Sequence, residues 1–505
     1  MTNNFKKRKL VSQAKEMAGD EYYYDDDENK SIELYNSLKS KKEVFKPIEE
    51  GVVRMYSCGP TVYDSPHIGN LSTFIRDDLL KRTLRAAGYK VKHVMNITDV
   101  DDKTIRDSKS DEYLVEDDEM KSLLNLTDKF STVFREDIAK VGNDVDSVEF
   151  IRATDTIAEM IELTNKLLKN GIAYRSDDGV YFSIEKYLKS GKKYGLLQKL
   201  NLAQSRSRID NDEYEKDSAA DFALWKAKRE GEPAWEAQFE GEDGNKFNMA
   251  GRPGWHIECS AMSHKLLGVP FDIHTGGIDL KFPHHENEIA QSCGAFGSDS
   301  FANYFVHMNH ILVDGRKMAK SAKNFYTLRD IDERGFDPMA FRLLVLSGHY
   351  RSEINFSWEI LEAARNRLRN WQAIADLRWQ LTGSERMFEF DYFEQRIIEE
   401  LSDDLNTPGA LSVIDSAFSN LEKDFANGAL ENRGTIGIFL HDIKKKLGID
   451  LLKDDISDEQ KELLSLRQKA RHDKDFAESD RLREELKSSG LDIRDTDNGQ
   501  IWSRV

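Results

Sequence analysis

The sequence predicts an α/β chain: a doubly wound parallel-sheet domain with an inserted subdomain, then an α-helical bundle and a small C-terminal domain. Three observations carry this. Residues 51–98 have a strand, helix, strand rhythm of the length a parallel crossover needs. The second half of the sheet runs through 254–315, after a long polar stretch that does not continue the rhythm, and from about Phe356 to Leu452 the pattern is helical. At 505 residues the chain has room for about three domains by the ~150-residue prior.

Taken in order, residues 1–30 hold a basic cluster, KKRK, and an acidic one, EYYYDDDENK, with few core-forming positions; this predicts a disordered charged leader. VVRMYS is a short strand delivering Cys58 at its carboxyl end, and GPTVYDSP is a loop. A helix begins near His67, with Ile68, Leu71, Ile75, Leu79 and Leu80 at helical spacing and Gly88 as its stop. YKVKHVMNIT is the next strand, so residues 31–104 form the first half of the sheet domain. Residues 105–250 break the rhythm with polar helices and the hairpin-like IAYRSDDGVYFSI, which predicts an inserted connective subdomain. Residues 251–350 form the second half, 351–452 a helical bundle, and 453–505 a small terminal domain opening with one charged helix near 457–488.

Composition narrows the function. The formal charge of −18 excludes generic nucleic-acid binding by net charge, leaving only local basic faces for RNA. No apolar run long enough for a membrane span and no apolar leader are present, so a cytoplasmic setting is expected. Three cysteines cannot build a disulfide framework. Metal binding is the better use for Cys58 and Cys259, while Cys293 suits a small buried position.

Seven of the twelve histidines lie between His256 and His310. Within FPHHENEIAQS, His284 and Glu288 are four apart, so a helix opening at Pro283 projects both from one face. GWHIECSAM is a second helix presenting Cys259. Structural zinc sites usually pair their cysteines closely; Cys58, Cys259, His284 and Glu288 come singly from distant segments and include a carboxylate, a pattern of catalytic or substrate-binding zinc. Taken alone, each of these residues better suits a helix cap or core filler.

PHIGN stands where a strand ends and a helix starts, a place that favours phosphate: His67 is a donor, Gly69 permits close approach and Asn70 is a neutral donor. KMAKS supplies two ammonium groups, Lys317 and Lys320, suited to a pyrophosphate leaving group. In TGGID, Gly276 and Gly277 let a nucleotide lie on the backbone and Asp279 can accept from ribose hydroxyls, although a plain turn explains the segment equally well. Asp99, Asp101 and Asp102 suit helix capping better than magnesium.

The order CGP, PHIGN, ITDVDDK, GWHIECSAM, FPHHENEIAQS and KMAKS resembles class I cysteinyl-tRNA synthetases from about Ser31 to Val505. The resemblance implies a Rossmann-type catalytic domain with one zinc on Cys58, Cys259, His284 and Glu288, ATP with magnesium as substrate at His67, Asn70, Lys317 and Lys320, and an amino-acid pocket lined by Thr98, Trp255 and His274. It implies L-cysteine and the tRNA for cysteine as partners, no membrane, and a monomer. The anticodon would be met by Phe476, Asp480 and Asp495, supported by Arg471 and Trp502. Three departures stand out: Ala319 occupies the middle of the mobile-loop signature, usually serine, Asn70 closes the signature that often ends in a second histidine, and Phe476 stands where tryptophan is frequent. RNRLRNW offers a basic helical face for the tRNA. The alternatives are a ligase joining cysteine to an amino sugar, as in mycothiol biosynthesis, which resembles the catalytic half but has no anticodon-reading tail, and a non-catalytic zinc-containing RNA-binding paralogue.

Overall fold

In the computed structural model of the chain, the described residues are 31–199, 221–318, 324–380, 390–426, 433–496 and 499–505. The charged leader, Ala319 and Lys320 lie outside them. The central sheet has five parallel strands: β1 (Val52–Ser57), β2 (Lys90–Ile97), β3 (Val148–Arg152), β4 (Phe271–Gly277) and β5 (Ala302–Met308). Their spatial order is β3-β2-β1-β4-β5, the doubly wound order, so the strand sequence reverses beside β1. Ligands of such sheets bind where the carboxyl ends open at that reversal, and Cys58 directly follows β1.

Three helices serve this crevice. α1 (Ile68–Ala86) buries Ile68, Leu71, Ile75, Leu79 and Leu80, the apolar positions whose spacing announces it. α2 (Trp255–Leu267) precedes β4 and stops at Gly268, whose φ is +75°. α3 (His284–Phe296) follows β4 after one short 3-10 turn. α3 is buried almost throughout and α2 from His256 to Ser263, so the polar residues there face protein and need partners.

The inserted segment is smaller than 105–250. Val148–Arg152 pairs in parallel register with β2, and the helix Glu119–Lys140 is its crossover. What departs from the sheet is a four-stranded antiparallel sheet drawn from Ala173–Ser176, Gly179–Phe182, Phe222–Ala227 and Gly251–Pro253. β3 escapes a pattern reading because its residues are half-buried or exposed edge positions, with no apolar run.

The helical region begins before Phe356, at Pro338–Leu346, and continues through Trp358–Ala375, Asp391–Ser402, Thr407–Ala426 and Arg433–Leu447. The charged segment near 457–488 is two helices, α4 (Asp458–His472) and α5 (Phe476–Ser488). Lys474 takes a left-handed φ of +60° and Asp475 caps the second helix, so the chain turns where the charge pattern gives no sign of it. A hairpin, Leu491–Thr496 with Gly499–Arg504, closes the chain. Among the described residues no helix is long and apolar enough to cross a membrane.

Candidate active site

The folded chain brings the four scattered residues together. Cys58, Cys259, His284 and Glu288 are all buried, with one potential ligand atom each within 4.8 Å of the others. The two Sγ atoms are 3.9 Å apart, Cys58 Sγ is 4.0 Å from Glu288 Oε1, and that oxygen is 3.0 Å from His284 Nε2. Two sulfurs each ~2.3 Å from one tetrahedral ion would lie about 3.8 Å apart, so the donor types and spacings both suit zinc. Burial pushes both thiols above the ordinary range, and Glu288 adds to this; a divalent cation would reverse that balance.

Surrounding groups orient His284 and Glu288. His284 Nδ1 lies 2.9 Å from His256 Nδ1, which leaves Nε2 toward the cluster. Burial lowers both imidazoles to about 3, so both are neutral near pH 7. Glu288 divides its oxygens: Oε1 faces the cluster, and Oε2 is 2.9 Å from His274 Nε2, whose Nδ1 meets the Tyr56 carbonyl at 3.2 Å. His274 is thus fully buried behind the carboxylate. Trp255 stacks on the His284 ring with centroids 4.2 Å apart, a half-buried wall beside the cluster. Thr98 Oγ1 donates to Glu258 Oε2 at 2.8 Å and accepts from Asn96 Nδ2 at 3.1 Å, while Asn96 Oδ1 accepts from Gly59 N–H at 2.8 Å. That chain of bonds ties the Cys58 loop to the Cys259 helix. A Cβ on Gly59 would stand 1.8 Å from the Asn96 carbonyl oxygen, so the turn after Cys58 admits only glycine.

His256, Glu258, Asn96 and His285 are contributors that motif reading passes over. His285 Nε2 approaches Cys58 Sγ at 3.3 Å, and its Nδ1 is 2.9 Å from His307 Nε2. Histidine clustering was the only sequence signal for the two histidines, and Asn96 and Glu258 had none. Cys293 is buried on α3 outside the ligand set.

The two nucleotide motifs meet as well. His67 caps α1: its Nδ1 accepts the Asn70 N–H at 3.1 Å, and Asn70 Oδ1 accepts the His67 N–H at 3.3 Å. A neutral ring accepting at Nδ1 carries its proton on Nε2. The chain just after KMAKS lies on this turn, with Ile68 N–H donating to the Tyr326 carbonyl at 2.9 Å and Phe325 edge-on to His67 at 5.0 Å. A Cβ on Gly69 would sit 2.5 Å from Met318 Cε and 2.8 Å from the His67 ring, so the loop bearing Lys317 packs over that glycine. Lys317 is exposed, and both it and Asp279 act electrostatically on His310, whose pKa is lowered mainly by burial. Asp279 is exposed and folds back over Gly277; Gly276 packs against Leu280 and His285. The aspartates of ITDVDDK are structural: Asp101 caps a helix, Asp99 accepts from Thr154, and Asp102 pairs with Lys226 and Arg252.

In the terminal domain Phe476 is 60% exposed, and Asp480, one turn later, is exposed too. Asp495 pairs with Arg467 and Arg471. Trp502 does not join this face. It is buried among Ile456, Leu486, Leu491 and Ile493, and its backbone exchanges two hydrogen bonds with the Gln380 side chain, so it fastens the domain to the helical region. Within RNRLRNW, Arg367 pairs with Asp415 and Arg365 with Glu362, Trp371 is buried, and Arg369 is exposed.

Comparison with known proteins agrees with this layout. Residues 44–366 match the model of the tRNA synthetases class I (C) catalytic domain, and 453–502 match the cysteinyl-tRNA ligase anticodon binding domain. The chain is 40% identical over 489 residues to the cysteine–tRNA ligase of Leptospira interrogans serovar Lai, covering 94% of this chain and 99% of that one. It is 40% identical over 494 residues to that of Brachyspira hyodysenteriae, covering 94% and 100%. Its fold resembles a putative arginyl-tRNA synthetase from Campylobacter jejuni (TM-score 0.54, 12% identity, 82% and 95% covered). It also resembles Mycobacterium tuberculosis methionyl-tRNA synthetase (TM-score 0.52, 12% identity, 78% and 90% covered). The chain belongs to the cysteine–tRNA ligase family of class I aminoacyl-tRNA synthetases.

Proposed function

We propose that this chain activates L-cysteine with ATP and transfers it to the terminal ribose of the tRNA for cysteine, with zinc on Cys58, Cys259, His284 and Glu288 selecting the substrate by its thiol. The observation that carries this is the meeting, at one sheet crevice, of that buried donor set with the PHIGN turn and the KMAKS flank. When bound there, zinc would hold the substrate's sulfur as thiolate, which a serine hydroxyl cannot match.

The rest of the chemistry belongs to the chain's own residues. The cysteine carboxylate attacks the α-phosphorus of ATP, the bond to the β-phosphoryl oxygen breaks, and pyrophosphate leaves with its magnesium. His67 offers Nε2–H to a phosphoryl oxygen, and the positive end of the α1 dipole adds partial positive charge. Lys317 and Lys320 balance the charge growing on pyrophosphate, while Gly276, Gly277 and Asp279 seat the ribose and adenine. Trp255 and Thr98 wall the amino acid, and His274 works through Glu288. The terminal ribose hydroxyl then attacks the activated carbonyl and releases AMP. No side-chain nucleophile is needed; positioning and charge carry the rate.

Phe476 and Asp480, with Asp495 and Arg471, form the face that meets the anticodon, by stacking and by Watson–Crick edges. The terminal domain favours tRNA over an amino sugar as acceptor. The ligase acts as a cytoplasmic monomer in this reading. Aminoacylation of the purified tRNA with radiolabelled cysteine tests it: charging of that tRNA is expected, and cysteine activation without tRNA charging would defeat it.

A further inference from the structure

On α4, Arg467 is 1% exposed, an unusual place for a guanidinium in a small surface domain. Its Nη1 and Nη2 donate to Asp495 Oδ1 and Oδ2, both at 2.9 Å, and Nη1 also donates to Gln500 Oε1 at 2.7 Å. Gln500 is the register partner of Asp495 across the terminal hairpin, and its Nε2 donates to the Leu464 carbonyl of α4 at 2.6 Å. The fork is therefore locked from both sides. Arg471 reaches Asp495 Oδ2 at 3.0 Å but from the surface, with 42% of its side chain exposed. A carboxylate has about four acceptor positions; Arg467 uses one on each oxygen from within, and the outward ones serve Arg471 or an incoming donor.

We propose that Arg467 is a positioning residue for anticodon recognition, fixing the Asp495 carboxylate in one orientation so that its outward lone pairs meet the N–H groups of a base edge. The proposal rests on the tRNA reading above. A rotating carboxylate would accept from many bases; a clamped one accepts from donors in one direction, which is what discrimination requires. Burial keeps Arg467 itself off the nucleic acid. A lysine there would keep the charge and lose the fork.

The test measures kcat/KM of the full-length enzyme for the cognate tRNA and for transcripts substituted singly at each anticodon base, in wild type, Arg467→Lys, Asp495→Asn and the double variant. Arg467→Lys should lower discrimination at one anticodon position by roughly tenfold or more, the scale of one lost bidentate base contact, with cysteine-dependent pyrophosphate exchange unchanged. In the Asp495→Asn background the same change should cost no further discrimination. Equal losses on all transcripts, or additive losses in the double variant, would overturn the proposal while leaving the ligase assignment standing. Absence of pyrophosphate exchange in wild type would overturn both.

Discussion

The proposed ligands on α3, His284 and Glu288, depend on neighbours that aim them. His256 is the clearest case, since its ring meets the nitrogen of His284 that faces away from the cluster. Replacing His256 by phenylalanine keeps the buried ring and removes that partner, so zinc affinity should fall roughly 10–100-fold, measured by competition with a chromogenic chelator. Cys259→Ser is more severe, because a hydroxyl is a poor zinc ligand: stoichiometric zinc should be lost at neutral pH, and with it the preference for cysteine over serine. Full zinc and full selectivity in that variant would contradict the assignment of Cys259. The four clustered residues could be picked out in the sequence because His284 and Glu288 are spaced four apart on a helix and the chain has only three cysteines. Asn96, His256 and Glu258 were not, because an orienting role exists only once segments from β2, α2 and α3 have been packed together.

At the level of elements, the proposed nucleotide site is a junction between the start of α1 and the flanks of the KMAKS loop. Gly69→Ala places a methyl where Met318 and the His67 ring already sit. The loop must then lift or the cap must turn, so the KM for ATP should rise about tenfold or more in pyrophosphate exchange, a cost of ~1.4 kcal/mol, with little change in the KM for cysteine. The helices and strands that shape this junction were written in apolar periodicity, β1, α1, β2 and β4 above all. β3 was not, since an edge strand of half-buried and exposed residues carries no alternation to read. The break between α4 and α5 was hidden for a different reason: charge runs straight through it, and the turn is made by a left-handed lysine. Trp502 also misled, because its place in a small core depends on Gln380, more than a hundred residues earlier.

The whole molecule is held by a buried knot of charge between the sheet domain and the helical region. Asp78 of α1 meets Arg82 at 2.6 Å, Arg342 at 2.7 Å and Lys81 at 3.2 Å, and Arg342 also donates to the carbonyls of Val141 and Leu447. The three cations hold the Asp78 carboxyl well below the usual carboxylate range despite its burial. A carboxylate depressed in the folded state contributes stability that is present above its unfolded value, near 3.9, and is lost as pH falls toward the folded value. Asp78→Asn leaves buried cations unpaired and should destabilise by ~3–5 kcal/mol at neutral pH. The gap between wild type and variant should narrow in thermal unfolding as pH drops below about 4. A gap that stays constant down to pH 3 would mean that Asp78 does not supply that charge.

The central claim is that substrate choice is made by a metal at the sheet's reversal point. ATP–pyrophosphate exchange by zinc-replete protein, run with cysteine and with serine, tests it most directly. Rapid exchange is expected with cysteine, and serine should fall short by more than the roughly 10–200-fold that pocket shape alone supplies. No exchange with cysteine, or comparable exchange with both amino acids, would contradict it.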